Sequence, residues 1–145
     1  MHKNELKIII GLHRVINYID QQTSRIAAEY GLTMGQFAVL EALYHKGDMT
    51  IGQVQEKILS STGTMPLIVK NLEKRNYIKK IQSLDDKRKY ILQLTNDGED
   101  IIKKVYPKNE EKIIEIMEIL SVEEKKSLVS ILKKLGDDIN EKSGK

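Results

Sequence analysis

The sequence contains no cysteine, and its 145 residues include no apolar run long enough to cross a bilayer. The first absence excludes disulfides, thiolate metal sites and thiol-based redox sensing in this chain. The second argues against a membrane-spanning helix, which needs about 20 apolar residues. The opening residues also hold too short an apolar segment for a secretory signal and lack a small-residue cleavage site. We therefore expect a cytoplasmic protein with no membrane partner.

The net charge is small, at +3, but the charged residues are unevenly distributed along the chain. Residues 70–95 carry eight basic and three acidic side chains, whereas the stretches before and after this window are neutral and slightly acidic. Local positive charge favours contact with a phosphate backbone, because lysine and arginine release condensed counterions when they bind there. A solvated basic surface explains the same charge equally well.

Apolar spacing predicts one mostly helical domain over residues 1–145. Steps of three and four residues predict helices at 4–30, 33–47, 50–58, 62–75, 95–120 and 121–142. Alternation of apolar and polar residues in 77–82 and 89–94 predicts a small β-hairpin. The expected helix caps are Thr33, Thr50, Thr95 and Ser121.

Short helices followed by a hairpin predict a winged helix-turn-helix, with residues 62–75 as its recognition helix. Slender residues open that helix, so its end can approach a DNA groove, where hydroxyls and backbone N–H groups meet phosphates or base edges. The same residues would serve equally well as a helix cap. Its apolar positions are Leu67, Ile68, Val69 and Leu72, and its expected DNA contacts are Ser61, Thr62, Gly63, Thr64, Met65 and Lys70.

The hairpin connection, SLDDKR, carries a second candidate contact with DNA. An arginine suits the narrow minor groove, where the negative potential is strongest, and a nearby aspartate can hold its guanidinium in place. Asp86 and Arg88 have the spacing for this pairing, and Lys87 and Lys89 add positive charge beside them. The alternative is a charged turn that keeps an edge hairpin soluble, which is the better explanation for these six residues taken alone.

Residues 32–98 resemble the MarR (multiple antibiotic resistance regulator) family of bacterial transcription factors. The resemblance rests on LTMGQFAVLEAL, LEKRNYIKK and DDKRKYILQLTNDG, and on a D-x-R pattern followed by an apolar strand and L-T-x-x-G. The residues that match this pattern are Asp86, Arg88, Leu94, Thr95 and Gly98. Many relatives carry a second D-x-R just upstream, where this chain has Ser83 and Asp85, so one basic residue is missing from the hairpin tip.

The resemblance implies a homodimer that regulates transcription from a pseudo-palindromic operator in double-stranded DNA, commonly as a repressor. The dimer interface would be built from residues 1–31 and 96–142, and the DNA-binding lobe would be 32–95. The first helix and the last two carry more apolar surface than a lone winged helix needs, which independently favours pairing with a second chain.

The resemblance also implies release of the DNA by a small aromatic or phenolic effector bound between the dimerisation helices and the DNA-binding lobe. A cation and a ring can meet an anionic aromatic ligand. The candidate residues are His13, Arg14 and Tyr44. The simpler explanations are a surface or interface ion pair for Arg14 and a core position for Tyr44.

The sequence shows no constellation typical of an enzyme. Its histidines, His2, His13 and His45, are scattered along the chain, and its carboxylates are interleaved with lysines as on a solvated helix face. We expect no catalysis, no metal and no cofactor. A winged helix used as a protein-interaction module, without specific DNA binding, is the alternative function, and it predicts that the basic residues of the hairpin are dispensable.

Overall fold

The computed structural model describes residues 2–58 and 65–143, which form six α-helices and three short β-strands. The helices are α1 (Lys3–Glu29), α2 (Met34–Lys46), α3 (Ile51–Ile58), α4 (Met65–Lys74), α5 (Asn96–Met117) and α6 (Val122–Lys142). The strands are β1 (Met49–Thr50), β2 (Ile78–Gln82) and β3 (Tyr90–Leu94). This order confirms the predicted mostly helical winged helix-turn-helix with helices on both sides.

Reciprocal side-chain caps start α2 and α6 where the sequence predicts them. The Thr33 hydroxyl accepts from the Gln36 amide N–H at 3.1 Å, and the Gln36 side chain accepts from the Thr33 N–H at 3.0 Å. Ser121 and Glu124 form the same box at the start of α6. Each box satisfies N–H groups that the first helical turn leaves without a partner.

The core of residues 32–95, called the lobe below, lies where α2, α4 and β3 meet. Leu40 of α2, Leu72 of α4 and Leu92 of β3 are fully buried there, as is Val54 of α3. Truncation of one such buried leucine to alanine typically costs about 2–5 kcal/mol. Packing in this cluster therefore fixes α4 and the hairpin to the same support.

The sheet contains one strand that the sequence analysis missed. The strands lie in the order β1-β3-β2, and all pairings are antiparallel. In β1, Met49 pairs with Leu92 and Thr50 pairs with Ile91. A strand of two residues is too short to show alternation, so only the tertiary structure reveals it.

A tight corner joins the start of α5 to the chain between α4 and β2. The Thr95 N–H donates to the Tyr77 carbonyl at 3.1 Å, and the Thr95 hydroxyl donates to the Asn76 carbonyl at 2.6 Å. The same hydroxyl accepts from the Gly98 N–H at 3.0 Å, which makes Thr95 the cap of α5. A Cβ atom on Gly98 would overlap the Tyr77 carbonyl oxygen. Gly98, the last residue of the L-T-x-x-G pattern, is therefore required for the close approach of the α5 backbone to the Tyr77 carbonyl.

The chain divides into two compact units, Met1–Glu111 and Lys112–Lys145. Within the first unit, α1 leaves many large apolar side chains exposed along its N-terminal half, among them Leu6, Ile9, Val15 and Ile16. Within the second unit, α6 has no buried residue, and its exposed apolar side chains include Leu128, Ile131, Leu132, Leu135 and Ile139.

Substitution of Gly98 by alanine should destabilise the protein by about 1–3 kcal/mol or more, because the new methyl group meets a backbone carbonyl that cannot rotate away. Thermal or urea unfolding measures the change. Gly52→Ala is the matched control, since Gly52 is a helical glycine whose Cβ would only touch the Thr50 hydroxyl at 4.0 Å. The control should be neutral or stabilising by up to about 1 kcal/mol. Equal stability of the two variants would contradict the packing described for the corner.

Candidate nucleic-acid interface

Helix α4 presents one buried and one exposed face. The buried stripe comprises Met65, Val69 and Leu72. Leu67, Lys70 and Lys74 are exposed on the other side of the helix. Of the residues predicted to open this helix, Ser61, Thr62, Gly63 and Thr64 lie outside the described residues. Lys70 has its side chain in solvent on the exposed face, and its contact with DNA stays a prediction.

Burial of the Met65 side chain argues against the predicted DNA contact by that side chain. The side chain of Met65 is only 2% exposed and belongs to the core cluster. It lies four residues before Val69 on the same helical stripe, and that stripe faces the lobe interior. A side chain so placed packs against the core and cannot reach a base edge.

The hairpin of β2, β3 and the connecting residues 83–89, called the wing below, holds an ordered ion pair at its tip. Asp86 Oδ1 accepts from Arg88 Nε at 3.1 Å and from the Arg88 backbone N–H at 3.0 Å. Asp86 Oδ2 accepts from Arg88 Nη2 at 3.3 Å. The guanidinium is therefore oriented by the neighbouring carboxylate, while the Arg88 side chain remains 89% exposed.

Backbone hydrogen bonds fix the shape of the wing tip. The Ser83 N–H donates to the Lys89 carbonyl and the Lys89 N–H donates to the Asp86 carbonyl, each at 2.9 Å. The Gln82 side-chain amide donates to the Lys87 carbonyl at 2.7 Å. The Ser83 hydroxyl accepts from the Asp86 N–H at 3.4 Å. The tip is therefore an ordered turn that displays Arg88.

Two further lysines of the wing were not predicted as contacts. Lys79 and Lys80 are exposed on β2, and the Lys80 ammonium lies 5.0 Å from the centre of the Tyr90 ring. The surplus of basic residues in 70–95 includes both lysines, but the sequence does not show which of these cations lie on the same side of the protein. Arg75 has a different role, because its guanidinium donates to the Gly31 carbonyl at 2.5 Å and lies over the Tyr77 ring.

A separate cleft of about 380 Å³ opens between α1, α2, α3 and α5. Its lining includes the apolar Phe37 and Ile58 and the basic Lys46 and Lys57. Glu41 also lines it, and burial raises the pKa of that carboxyl, with nearby His45 acting in the opposite direction.

At one wall of this cleft a buried hydrogen bond joins α1 to α5. The Thr23 hydroxyl donates to Asn109 Oδ1 at 2.8 Å, across 86 residues of sequence. Polar groups buried in this way normally have partners, since an unpaired one is costly. This hydrogen bond closes the cleft on the side where α1 meets α5.

None of the three predicted effector residues lines this cleft. His13 lies on α1 beside Ile9, Leu12 and Ile16, and Arg14 is exposed on the same helix. The ring of Tyr44 lies 5.2 Å from that of His45, which does line the cleft. Tyr44 is therefore adjacent to the cleft through one intervening side chain.

Within residues 2–58 and 65–143, no group of three or more histidine or carboxylate side chains is arranged to hold a metal ion. No helix in these same ranges is both long enough and apolar enough to cross a membrane.

Similarity to known proteins identifies the family. The family model described as Transcriptional regulator SarA/Rot matches residues 21–105. Over 136 residues the chain is 32% identical to the HTH-type transcriptional regulator MhqR of Bacillus subtilis (strain 168), and the match covers 94% of each protein. Its fold matches AbsC, a MarR family transcriptional regulator from Streptomyces coelicolor, with a TM-score of 0.84 at 18% identity over 97% of both chains. The chain belongs to the MarR family of transcriptional regulators.

Another solved structure similar to this MarR-family regulator is that of BpsR from Bordetella bronchiseptica, whose DNA binding is regulated by 6-hydroxynicotinic acid. The two share 24% identity and a TM-score of 0.76, over 87% of this chain and 90% of that one. Family membership confirms that the protein is a DNA-binding regulator of the helix-turn-helix type and not an enzyme.

Removal of the Arg88 side chain should raise the pKa of Asp86. Hydrogen bonds from the Arg88 side chain and then from its backbone hold that pKa below the ordinary value. Because the pKa of Asp86 is lowered in the folded protein, the ion pair orders the tip at neutral pH. The ion pair is lost as the pH falls through that pKa. NMR titration of the Asp86 carboxyl in Arg88→Ala should show a partial return towards the ordinary value, since the backbone N–H remains. Lys87→Ala is the control and should leave the pKa low; an unchanged pKa in Arg88→Ala would contradict the ion pair.

Proposed function

We propose that this regulator binds a pseudo-palindromic operator in double-stranded DNA as a homodimer, with α4 in the major groove and Arg88 in the adjacent minor groove. The observation that carries the proposal is the ion pair at the wing tip. Asp86 orients the Arg88 guanidinium while leaving it almost fully exposed, so the cation is ordered before it meets a partner. A pre-ordered cation loses less conformational freedom on binding.

The charges beside the ion pair support the same partner. Lys87 and Lys89 flank Arg88 at the tip, and Lys70 stands on the exposed face of α4. Such cations would contact the phosphates on either side of a groove, while the helix contacts the base edges inside it. Residues 61–64, which the sequence analysis gave as DNA contacts, remain proposed contacts.

The proposed homodimer follows from the apolar side chains that α1 and α6 leave exposed. An interface built from residues 1–31 and 96–142 would remove these side chains from water, at about 25 cal/mol for each Å² of apolar area. A two-fold axis would then present two wings and two recognition helices to two related half-sites. Such a regulator acts on chromosomal DNA, so we place it in the cytoplasm.

We propose repression as the sign of regulation, on the strength of the family resemblance. Deletion of the gene should then raise transcription from promoters that carry the operator. Release of the DNA would come from a small aromatic or phenolic effector, for which the cleft beside His45 offers apolar walls and the cations of Lys46 and Lys57. His13 and Arg14 form the competing location on α1. An effector at either place acts only if it binds the DNA-free and DNA-bound states with different affinity.

Hydroxylated aromatic carboxylates, with 6-hydroxynicotinate among them, should weaken operator binding if the cleft is the effector site. Lys57→Gln should reduce that response, because it removes a cation from the cleft wall, whereas the charge-matched Lys104→Gln on α5 should respond like the wild type. A response lost in Arg14→Gln but kept in Lys57→Gln would place the effector on α1 instead. Fluorescence anisotropy of labelled operator, with and without the aromatic carboxylate, measures DNA binding by the wild type and the three variants.

Loss of the Arg88 side chain should weaken operator binding and reduce its dependence on salt. Each cation that neutralises DNA phosphate contributes about 0.9 to the slope of log affinity against log salt concentration. Purified wild type, Arg88→Ala and the control Lys104→Ala would be titrated against the DNA flanking the gene, over a salt series and with unrelated competitor DNA. We expect two protomers per operator and a slope lower by about one per subunit in Arg88→Ala alone.

Unchanged affinity and slope in Arg88→Ala would show that the wing does not contact DNA. Equal, weak binding to operator and competitor by the wild type would instead favour the protein-interaction module.

A further inference from the structure

One exposed apolar side chain stands on the recognition helix. In the described part of residues 32–95, the large apolar side chains left in solvent are Leu67 at 58% exposure, Ile81 at 42%, Leu84 at 99% and Tyr90 at 40%. The last three belong to the wing. Leu67 belongs to α4.

Neither packing nor helix formation explains a leucine at this position. Met65, Val69 and Leu72 form the buried stripe of α4, and Leu67 contributes nothing to it. Lysine, glutamate and glutamine are nearly as good helix formers as leucine and would suit a solvated site better. Lys70 lies three residues further on, which places its side chain beside Leu67 on the same face. An apolar group and a cation therefore share the surface proposed to enter the groove.

We infer that Leu67 reads DNA sequence by contacting the 5-methyl group of a thymine in the major groove. The inference rests on the proposed placement of α4 in that groove. The thymine methyl is the apolar feature of the base edges that the major groove displays, and Lys70 beside Leu67 matches the phosphate charge at the groove wall. Leu67 thus favours operators with thymine at one position of each half-site, while Lys70 holds the helix in place without regard to sequence.

The test uses an operator in which thymine is replaced by 2′-deoxyuridine. This change removes only the 5-methyl groups and keeps charge and base pairing. The wild type should bind the uracil operator about fourfold more weakly for each methyl contacted, the value expected for one buried methyl-sized group. Leu67→Ala should bind the two operators equally. Single thymine-to-uracil replacements then locate the contacted base in each half-site.

Leu84→Ala is the matched control, because Leu84 is also an exposed leucine but lies on the wing, in the proposed minor-groove contact. Thymine methyl groups do not project into the minor groove, so this variant should keep the wild-type ratio between the two operators. Both variants remove an exposed side chain, and thermal unfolding should confirm that both remain folded.

Two results would overturn the inference while leaving DNA binding intact. One is a wild type that binds both operators equally. The other is a Leu67→Ala variant that keeps the full uracil penalty, since the methyl groups would then act through another residue or through DNA stiffness. Failure of the wild type to prefer its operator over unrelated DNA is a distinct outcome, which would contradict the proposed function and the inference with it.

Discussion

The close approach of the first turn of α5 to the Tyr77 carbonyl is the constraint on which the lobe depends. It is possible only because residue 98 has no side chain, and Thr95 holds the approach with three hydrogen bonds. Tyr77 lies between the end of α4 and the start of β2. The corner therefore brings the end of α4, the start of β2 and the first turn of α5 together at a single point.

Local contacts determine how the charged side chains of the wing and of α4 are exposed. Asp86 holds Arg88 within a turn whose backbone groups are mutually satisfied, and the exposed face of α4 carries Lys70 opposite a buried stripe. An exposed ion pair contributes little to folding stability. Under the proposed function, its orientation of the guanidinium serves recognition of DNA rather than folding.

The features that the sequence predicted are those set by neighbours along the chain. Helix periodicity, the caps at Thr33 and Ser121, and the pairing of Asp86 with Arg88 all depend on residues within a few positions of one another. The Thr23–Asn109 hydrogen bond and strand β1 depend on distant segments, so no local pattern reveals them. In α4, the apolar run 67–69 does not show which residue faces outward, and Met65 resembled its slender neighbours until the buried stripe fixed its direction.

Amide hydrogen exchange of the protein, with and without operator DNA, tests the central claim most directly, because it maps the bound face without altering any residue. We predict that DNA slows exchange in α4 and in the wing tip, residues 65–74 and 83–89, and leaves exchange in α6 nearly unchanged. Protection confined to α6 or to the N-terminal half of α1, with none at the wing tip, would contradict the assignment of the DNA-binding face.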